Sequence, residues 1–289
     1  MKHILLGKSV EEIRELILGL SAGTRLPSYL AKQIAEWIYR KNVVSFDEMT
    51  NISAANRLLL NEHFSIGITA PSVTNISKDG ASKYLFGDVE AVLIPDGNRL
   101  TLCVSSQAGC KMNCVFCATG KMGFGRNLSA AEILNQYAFF ARAAGGNAVV
   151  GCGGGVVAGD VAVSGDNTAV MGGNTVDDAQ NITNIVFMGM GEPLDNLSEV
   201  LTALRAFTSD WGFALSPRRI TISTIGIIPE LRKLIEETEC HIAISLHNPY
   251  HSGRLKLMPV EKVYPIEKVI ELLTHYDWAH QRKLSFEYT

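Results

Sequence analysis

The sequence has no apolar run long enough to cross a bilayer, and its first residues, MKHILLGKSVEEIRE, acquire charge before a signal-peptide core can form. Both absences predict a cytoplasmic protein with no membrane partner. Charge of neither sign dominates. Against 29 acidic residues stand 26 basic ones, for a net charge of −3 and a pI near 6.2. No chain-wide basic footprint for nucleic acid exists, so contact of that kind needs a local patch. Aromatic residues are scarce at 8% and charged ones amount to 19%, while 47% of the chain is apolar. That composition argues against wholesale disorder and supplies a core for one domain or two. Cysteine is rare too, with 6 in 289 residues and none beyond Cys240.

Three of those six nevertheless crowd into GCKMNCVFCATGKMG, where Cys110, Cys114 and Cys117 are spaced C-x3-C-x2-C. Thiols stay reduced in the cytosol, so such a cluster predicts metal or redox chemistry rather than disulfides. Zinc is one reading, with Cys240 or His247 as a distant fourth ligand, but structural zinc sites are usually built from two paired knuckles and only one is present. A [4Fe–4S] cluster on three cysteines fits better and leaves one iron open to a substrate or cofactor.

The surrounding pattern begins with three helical stretches, 9–20, 28–40 and 53–64; the first opens with Ser9 and Glu12 in capping-box spacing. They predict a small helical domain over 1–70, joined by strands within 71–98 to a larger domain over 99–289. There strand-like segments (99–106, 181–190, 218–224, 240–247, 283–289) alternate with helical ones (128–143, 197–207, 229–238, 264–275). Near-continuous apolar strands separated by helices predict an α/β fold with a parallel sheet curved into a partial barrel. A Gly-rich segment, 145–180, interrupts the rhythm; residues 145–178 hold ten of the 26 glycines. It reads as an insertion. Its GGGVVA stretch matches a dinucleotide fingerprint in form only, because no helical period follows, and Cys152 within it is incidental.

The C-x3-C-x2-C spacing with Phe116 before the third cysteine resembles the signature of radical S-adenosylmethionine (SAM) enzymes. The ordered blocks TLCVSSQAGC, CATGKMGFGRNL, NITNIVFMGMGEPLDN, RRITISTIG and ISLHNP closely resemble the radical SAM adenine-C2 methyltransferases of 23S rRNA and tRNA, the RlmN-like family. AKQIAEWIYRK and SFDEMTNIS resemble that family's N-terminal accessory domain, which implies RNA binding by residues 1–70. The resemblance implies a partial (β/α) barrel of radical SAM type with a [4Fe–4S] cluster on Cys110, Cys114 and Cys117. It further implies SAM contacts from Gly191, Glu192, Ser223, Ser245, Leu246 and His247. Taken alone, Glu192 would read as a loop cap and His247 as a structural histidine.

The resemblance also implies two catalytic residues. Glu90 would be the proton acceptor, although an isolated strand glutamate ordinarily reads as a solvated residue. Cys103, otherwise a small buried hydrophobe, would release a covalent protein–RNA intermediate through a transient disulfide. In the implied mechanism one SAM methylates a C-terminal cysteine and a second yields a 5′-deoxyadenosyl radical that activates this methyl group for addition to adenine C2. The partners implied are rRNA and tRNA, with a flavodoxin- or ferredoxin-type electron donor, and the complete protein is expected to be a monomer. Lys111, Lys121, Arg126, Arg218, Arg219 and Lys256 are candidate phosphate contacts.

The family's sixth strand, its SAM-holding asparagine and its methyl-carrying cysteine have no counterpart within these 289 residues. The expectation is therefore a chain that cannot methylate RNA alone and is weakly stable, or self-associating, at the edge formed by Leu284 and Phe286. Two alternatives stay open from sequence: a non-catalytic iron–sulfur or RNA-binding remnant, and a radical SAM enzyme with another substrate.

Overall fold

A computed structural model of the protein describes residues 2–20, 27–144, 182–278 and 282–288. The expected insertion at 145–180, with GGGVVA and Cys152, lies outside the described residues. Contacts divide the chain into two compact units.

The first unit comprises the described residues of Met1–Thr74, Ala130–Ile182 and Thr202–Leu215. It holds β1 (His3–Ile4), α1 (Val10–Leu18), α2 (Leu30–Tyr39), α3 (Ala54–His63), β2 (Phe64–Ser65) and α5 (Ala130–Ala144). The Ser9–Glu12 capping box forms, with each side chain accepting from the other's backbone N–H. Ile13 and Ile17 of α1, and Leu30, Ile34 and Ile38 of α2, fall at helical spacing and are buried. The parallel pair β1–β2 is too short to carry a sequence signal. Tyr39 fastens the unit: its hydroxyl accepts from Gly7 N (2.9 Å) and donates to Lys8 O (2.8 Å). Its ring meets Trp211 and Phe213 edge-on at 5.4 and 5.2 Å. Arg142 of α5 pairs with Glu48 at 2.9 Å.

The second unit comprises the described residues of Asn75–Ser129, Thr183–Leu201 and Ser216–Thr289. Its strands are β4 (Ser82–Phe86), β5 (Val89–Asp96), β6 (Arg99–Cys103), β7 (Gln107–Gly109), β8 (Phe124–Asn127), β9 (Asn184–Phe187), β10 (Ile220–Thr224), β11 (His241–Ser245) and β12 (Leu284–Glu287). Its helices are α4 (Ala118–Met122), α7 (Ile228–Glu237), α8 (His251–Leu257) and α9 (Ile266–Leu273). Two elements, β3 (Val73–Ile76) and α6 (Leu197–Thr208), straddle the division between units.

One sheet of eight strands, ordered β12-β11-β10-β9-β6-β5-β4-β3, dominates this unit. The run β6-β9-β10-β11-β12 is parallel, as the alternating pattern predicts. Residues 71–98, expected only to connect, extend the same sheet antiparallel from β6. The strand expected over 99–106 ends at Cys103, because Ser106 N and Gln107 N turn away to Met190 O. Helix α8 was not anticipated.

Pleating sorts residues to two faces. Val89, Ala91 and Leu93 of β5 share a buried face with Leu102, Ile185, Ile222 and Ile242 through the strand register. The other face carries Glu90, Cys103, Ser223, Ser245 and Glu287. The polar residues therefore stand on one side of the sheet.

Candidate active site

Parallel strands deliver their C-terminal ends to one rim, where barrel enzymes place their chemistry. Cys103 ends β6, the Gly189–Glu192 turn follows β9, Ser223 nears the end of β10, Ser245 ends β11 and Glu287 ends β12.

The cysteine loop leaves this rim between β7 and β8, which pair antiparallel. Two close approaches shape it. Gly109 has φ +78°, and a Cβ there would lie 1.9 Å from Gly123 O, so only glycine fits where Cys110 N donates to that same oxygen at 3.0 Å. Cys117 caps α4, its sulfur accepting from Gly120 N at 3.4 Å. Cys114 is buried with Ile225 and Met258. Burial raises the pKa of the Cys110 thiol, and the charges of Glu192, Cys117 and Asp195 add to the shift. Cys114 is pushed up to about 12, by burial first and then by Cys110, Cys117 and Glu192. A bound cationic centre would favour the thiolate at each of these cysteines, against the effect of burial. All three are free, as are Cys103 and Cys240, and no disulfide occurs among the described residues.

Glu192 is 4% exposed, and both its carboxylate oxygens are engaged. One accepts from Thr224 Oγ1 (2.5 Å) and Leu194 N (3.0 Å), the other from Ile225 N (3.1 Å). Burial lifts its pKa to about 7, against the lowering effect of those donors. The carboxylate ties the β9 turn to the end of β10. Gly191, at φ +100°, presses against Gln107, where a Cβ would lie 2.5 Å from the Gln107 Cβ. Gln107 Oε1 accepts from Glu192 N, and Gln107 Nε2 donates to Asn127 and Asp195.

Ser223 and Ser245 both donate to Glu287 Oε2, at 2.8 and 3.1 Å. Leu246 N and His247 N both donate to the Glu287 carbonyl at 3.0 Å. His247, at φ +51°, is buried and packs its ring against Phe116 of the cysteine loop at 4.6 Å. Burial lowers its pKa.

Val92 pairs with Cys103, and Glu90 stands two residues along β5, so Glu90 and Cys103 share a face. Glu90 is half-buried and salt-bridged to Lys83 at 2.9 Å. Ser105 Oγ donates to the Glu90 carbonyl (2.6 Å) and accepts from Met190 N (2.8 Å), tying the strand of Glu90 to the turn of Glu192. Burial pushes the Cys103 thiol up to about 11.

The candidate phosphate contacts divide. Lys111, Lys121 and Arg126 flank the cysteine loop, where Lys111 pairs with Asp195 and Arg126 with Asp88. Lys256 lies on α8, whereas Arg218 and Arg219 precede β10 and so sit at the far end of the strands from the cysteines.

A family model described as the ribosomal RNA large subunit methyltransferase N-terminal domain matches residues 5–66. The dual-specificity RNA methyltransferase RlmN of Syntrophobacter fumaroxidans is 39% identical over 97% of this chain and 73% of its own length. A Parabacteroides distasonis protein with the same RlmN designation is 46% identical over 99% of the chain and 74% of its own. This chain belongs to the RlmN family. A solved radical SAM methyltransferase from Sphaerobacter thermophilus matches 99% of the chain and 76% of its own with a TM-score of 0.79 at 31% identity. The fold is thus the radical SAM partial barrel.

Sequence reasoning missed several residues that organise this RlmN-family site. Gln107, Ser105 and Thr224 lie inside the motif blocks but have side chains that carry no chemical signature of their own. Glu287 lies outside the blocks, as does Arg254 of α8. Arg254 is fully buried, pairs with Glu261, and holds the carbonyls of Ile225 (2.8 Å) and Ser245 (2.9 Å).

Proposed function

We propose that this protein is a radical SAM methyltransferase acting on C2 of adenine in 23S rRNA and tRNA, with a [4Fe–4S] cluster on Cys110, Cys114 and Cys117 and SAM at the neighbouring strand ends. The observation that carries it is the gathering of three free thiols in one short loop that packs, through Cys114 on Ile225 and Phe116 on His247, beside the C-terminal ends of the parallel strands. Three thiols fit a cluster with one open iron. That cluster and SAM supply a carbon radical, which an adenine C2 requires because it is neither nucleophilic nor acidic.

The chain's own residues do the rest. Gly191 and Glu192 present the turn that receives the amino end of SAM, with the Glu192 carboxylate bracing that turn from behind. Ser223, Ser245, Leu246 and His247 line the adjoining strand ends. Glu90, oriented by Lys83, takes the C2 proton. Cys103, on the same face, stands where an adduct to that base is released. Lys111, Lys121 and Arg126 meet RNA phosphates, and the electron comes from a flavodoxin- or ferredoxin-type donor.

Cluster-loaded protein given SAM and dithionite is expected to yield 5′-deoxyadenosine, and filter binding to retain 23S rRNA and tRNA transcripts. Loaded protein that produces no 5′-deoxyadenosine sinks the enzymatic reading. Transcripts bound no better than double-stranded DNA sink the RNA assignment.

A further inference from the structure

We infer that Glu287 is a direct SAM ligand, receiving through its free carboxylate oxygen a hydrogen-bond donor of the cofactor: a ribose hydroxyl or the methionyl ammonium. The inference rests on the proposed SAM site and adds a residue to it.

Glu287 ends β12, beside Ser245 in the register of β11. Its Oε2 accepts from Ser223 Oγ and Ser245 Oγ. Its Oε1 has no hydrogen-bond partner among the described residues. The side chain is half-buried, on the face that carries Cys103 and Glu90. Each serine has one proton to donate, and here that proton goes to Oε2. What the trio offers outward is therefore acceptors alone: one carboxylate oxygen and the lone pairs of two hydroxyls, with a net negative charge. A ligand group meeting it must be a donor. The carboxylate and sulfonium of SAM have no proton to give, whereas its ribose hydroxyls and ammonium do.

The other acid at these strand ends does not compete. Glu192 is buried, with both oxygens occupied by Thr224, Leu194 and Ile225. Among the described residues, Glu287 is thus the carboxylate with an open oxygen at the ends of β10, β11 and β12. It is also fixed in place, because its carbonyl accepts from both Leu246 N and His247 N.

Glu287→Gln separates contact from bracing. The amide oxygen still accepts from both serines, while the amide nitrogen puts a donor where the ligand needs an acceptor. Cluster-loaded parent and variant are compared by anaerobic equilibrium dialysis with SAM and with 5′-methylthioadenosine, which keeps the ribose and lacks the ammonium. Iron content and melting temperature serve as folding controls. The variant is expected to bind SAM about ten- to a hundred-fold more weakly, the effect of losing a hydrogen bond to a charged group. A matching loss for 5′-methylthioadenosine identifies the ribose as the donor, and a loss confined to SAM identifies the ammonium. Where Glu287→Gln fails the folding controls, Glu287→Asp keeps the charge, shortens the reach and must still weaken SAM. A correctly loaded Glu287→Gln that binds SAM as tightly as the parent overturns the assignment. A parent that binds no SAM removes the proposed function, and this ligand with it.

Discussion

Arg254 and Glu261 form an ion pair with both side chains fully buried, and replacing the arginine by methionine should be among the most damaging single changes in the second unit. Arg254 also donates to Ile225 O and Ser245 O, so the guanidinium holds β10 and β11 at the ends where the site lies. Methionine keeps an unbranched stem and removes the charge and its donors. Glu261 would then be a buried carboxylate left with Ile266 N and His251 Nδ1. Breaking a buried pair from one side costs about 3–5 kcal/mol. At roughly 2–4 °C per kcal/mol for a chain of a few hundred residues, the melting temperature should fall by about 10 °C. The double variant Arg254→Met/Glu261→Leu removes the stranded charge and should recover part of that loss, because well-packed apolar residues replace buried pairs at little net cost. Thermal unfolding followed by circular dichroism reads both. A single variant melting within about 2 °C of the parent, well inside the expected fall, or a double variant no more stable than the single, refutes the reasoning.

Two further outcomes are expected. Cys114→Ala should lose the full iron complement after anaerobic reconstitution, because two thiols remain for a cluster that needs three; iron counting checks this, and a full complement shows that Cys114 is no ligand. Burial raises the Glu192 carboxyl to about 7, so between the ordinary carboxylate range and pH 7 the folded state holds a proton that the unfolded chain has released. That group therefore favours folding at low pH, and its contribution is lost as pH rises through about 7, by at most about 3 kcal/mol. Urea midpoints at pH 5 and 8 should show the parent losing more stability than Glu192→Gln over that interval; equal losses contradict the assignment.

The fold was legible where local signals repeat. Ser9 with Glu12 marks a helix start without any tertiary information, and in RRITIST the alternating isoleucines among β-branched threonines are enough to be read as a strand. Residues 71–98 were read as strands, but not as part of the main sheet. Whether a hairpin joins a sheet is decided by pairing across the sequence, here Val92 with Cys103, and no local pattern encodes it. The truncation of β6 at Cys103 was hidden for the same reason: Val104, Ser105 and Ser106 continue a plausible strand, and what turns the chain away is the carbonyl of Met190, far along the sequence, which accepts from Ser106 N and Gln107 N. Helix α8 escaped because HSGRLKL is short, contains a glycine and buries an arginine where a period-based reading seeks an apolar residue.

For the site, the thiols were legible because cysteine is rare and its spacing is chemical. The residues that hold them were not, because their roles depend on which neighbours the fold supplies. Glu192 shows the difference. Its place in MGMGEP suggests a carboxylate offered to a cation, yet the fold turns both oxygens onto Thr224, Leu194 and Ile225 and sets the carboxyl group behind the turn. Glu287 lies in a segment legible only as a strand; one of its carboxylate oxygens has no hydrogen bond among the described residues, and two serines that the sequence does single out converge on the other. The motif therefore marks where the backbone must pass, and the register of β10, β11 and β12 decides which carboxylate keeps an oxygen open. That division follows from the physics: glycine positions are set by local backbone sterics, as at Gly109 and Gly191, whereas the availability of a carboxylate depends on every donor the tertiary structure brings within reach.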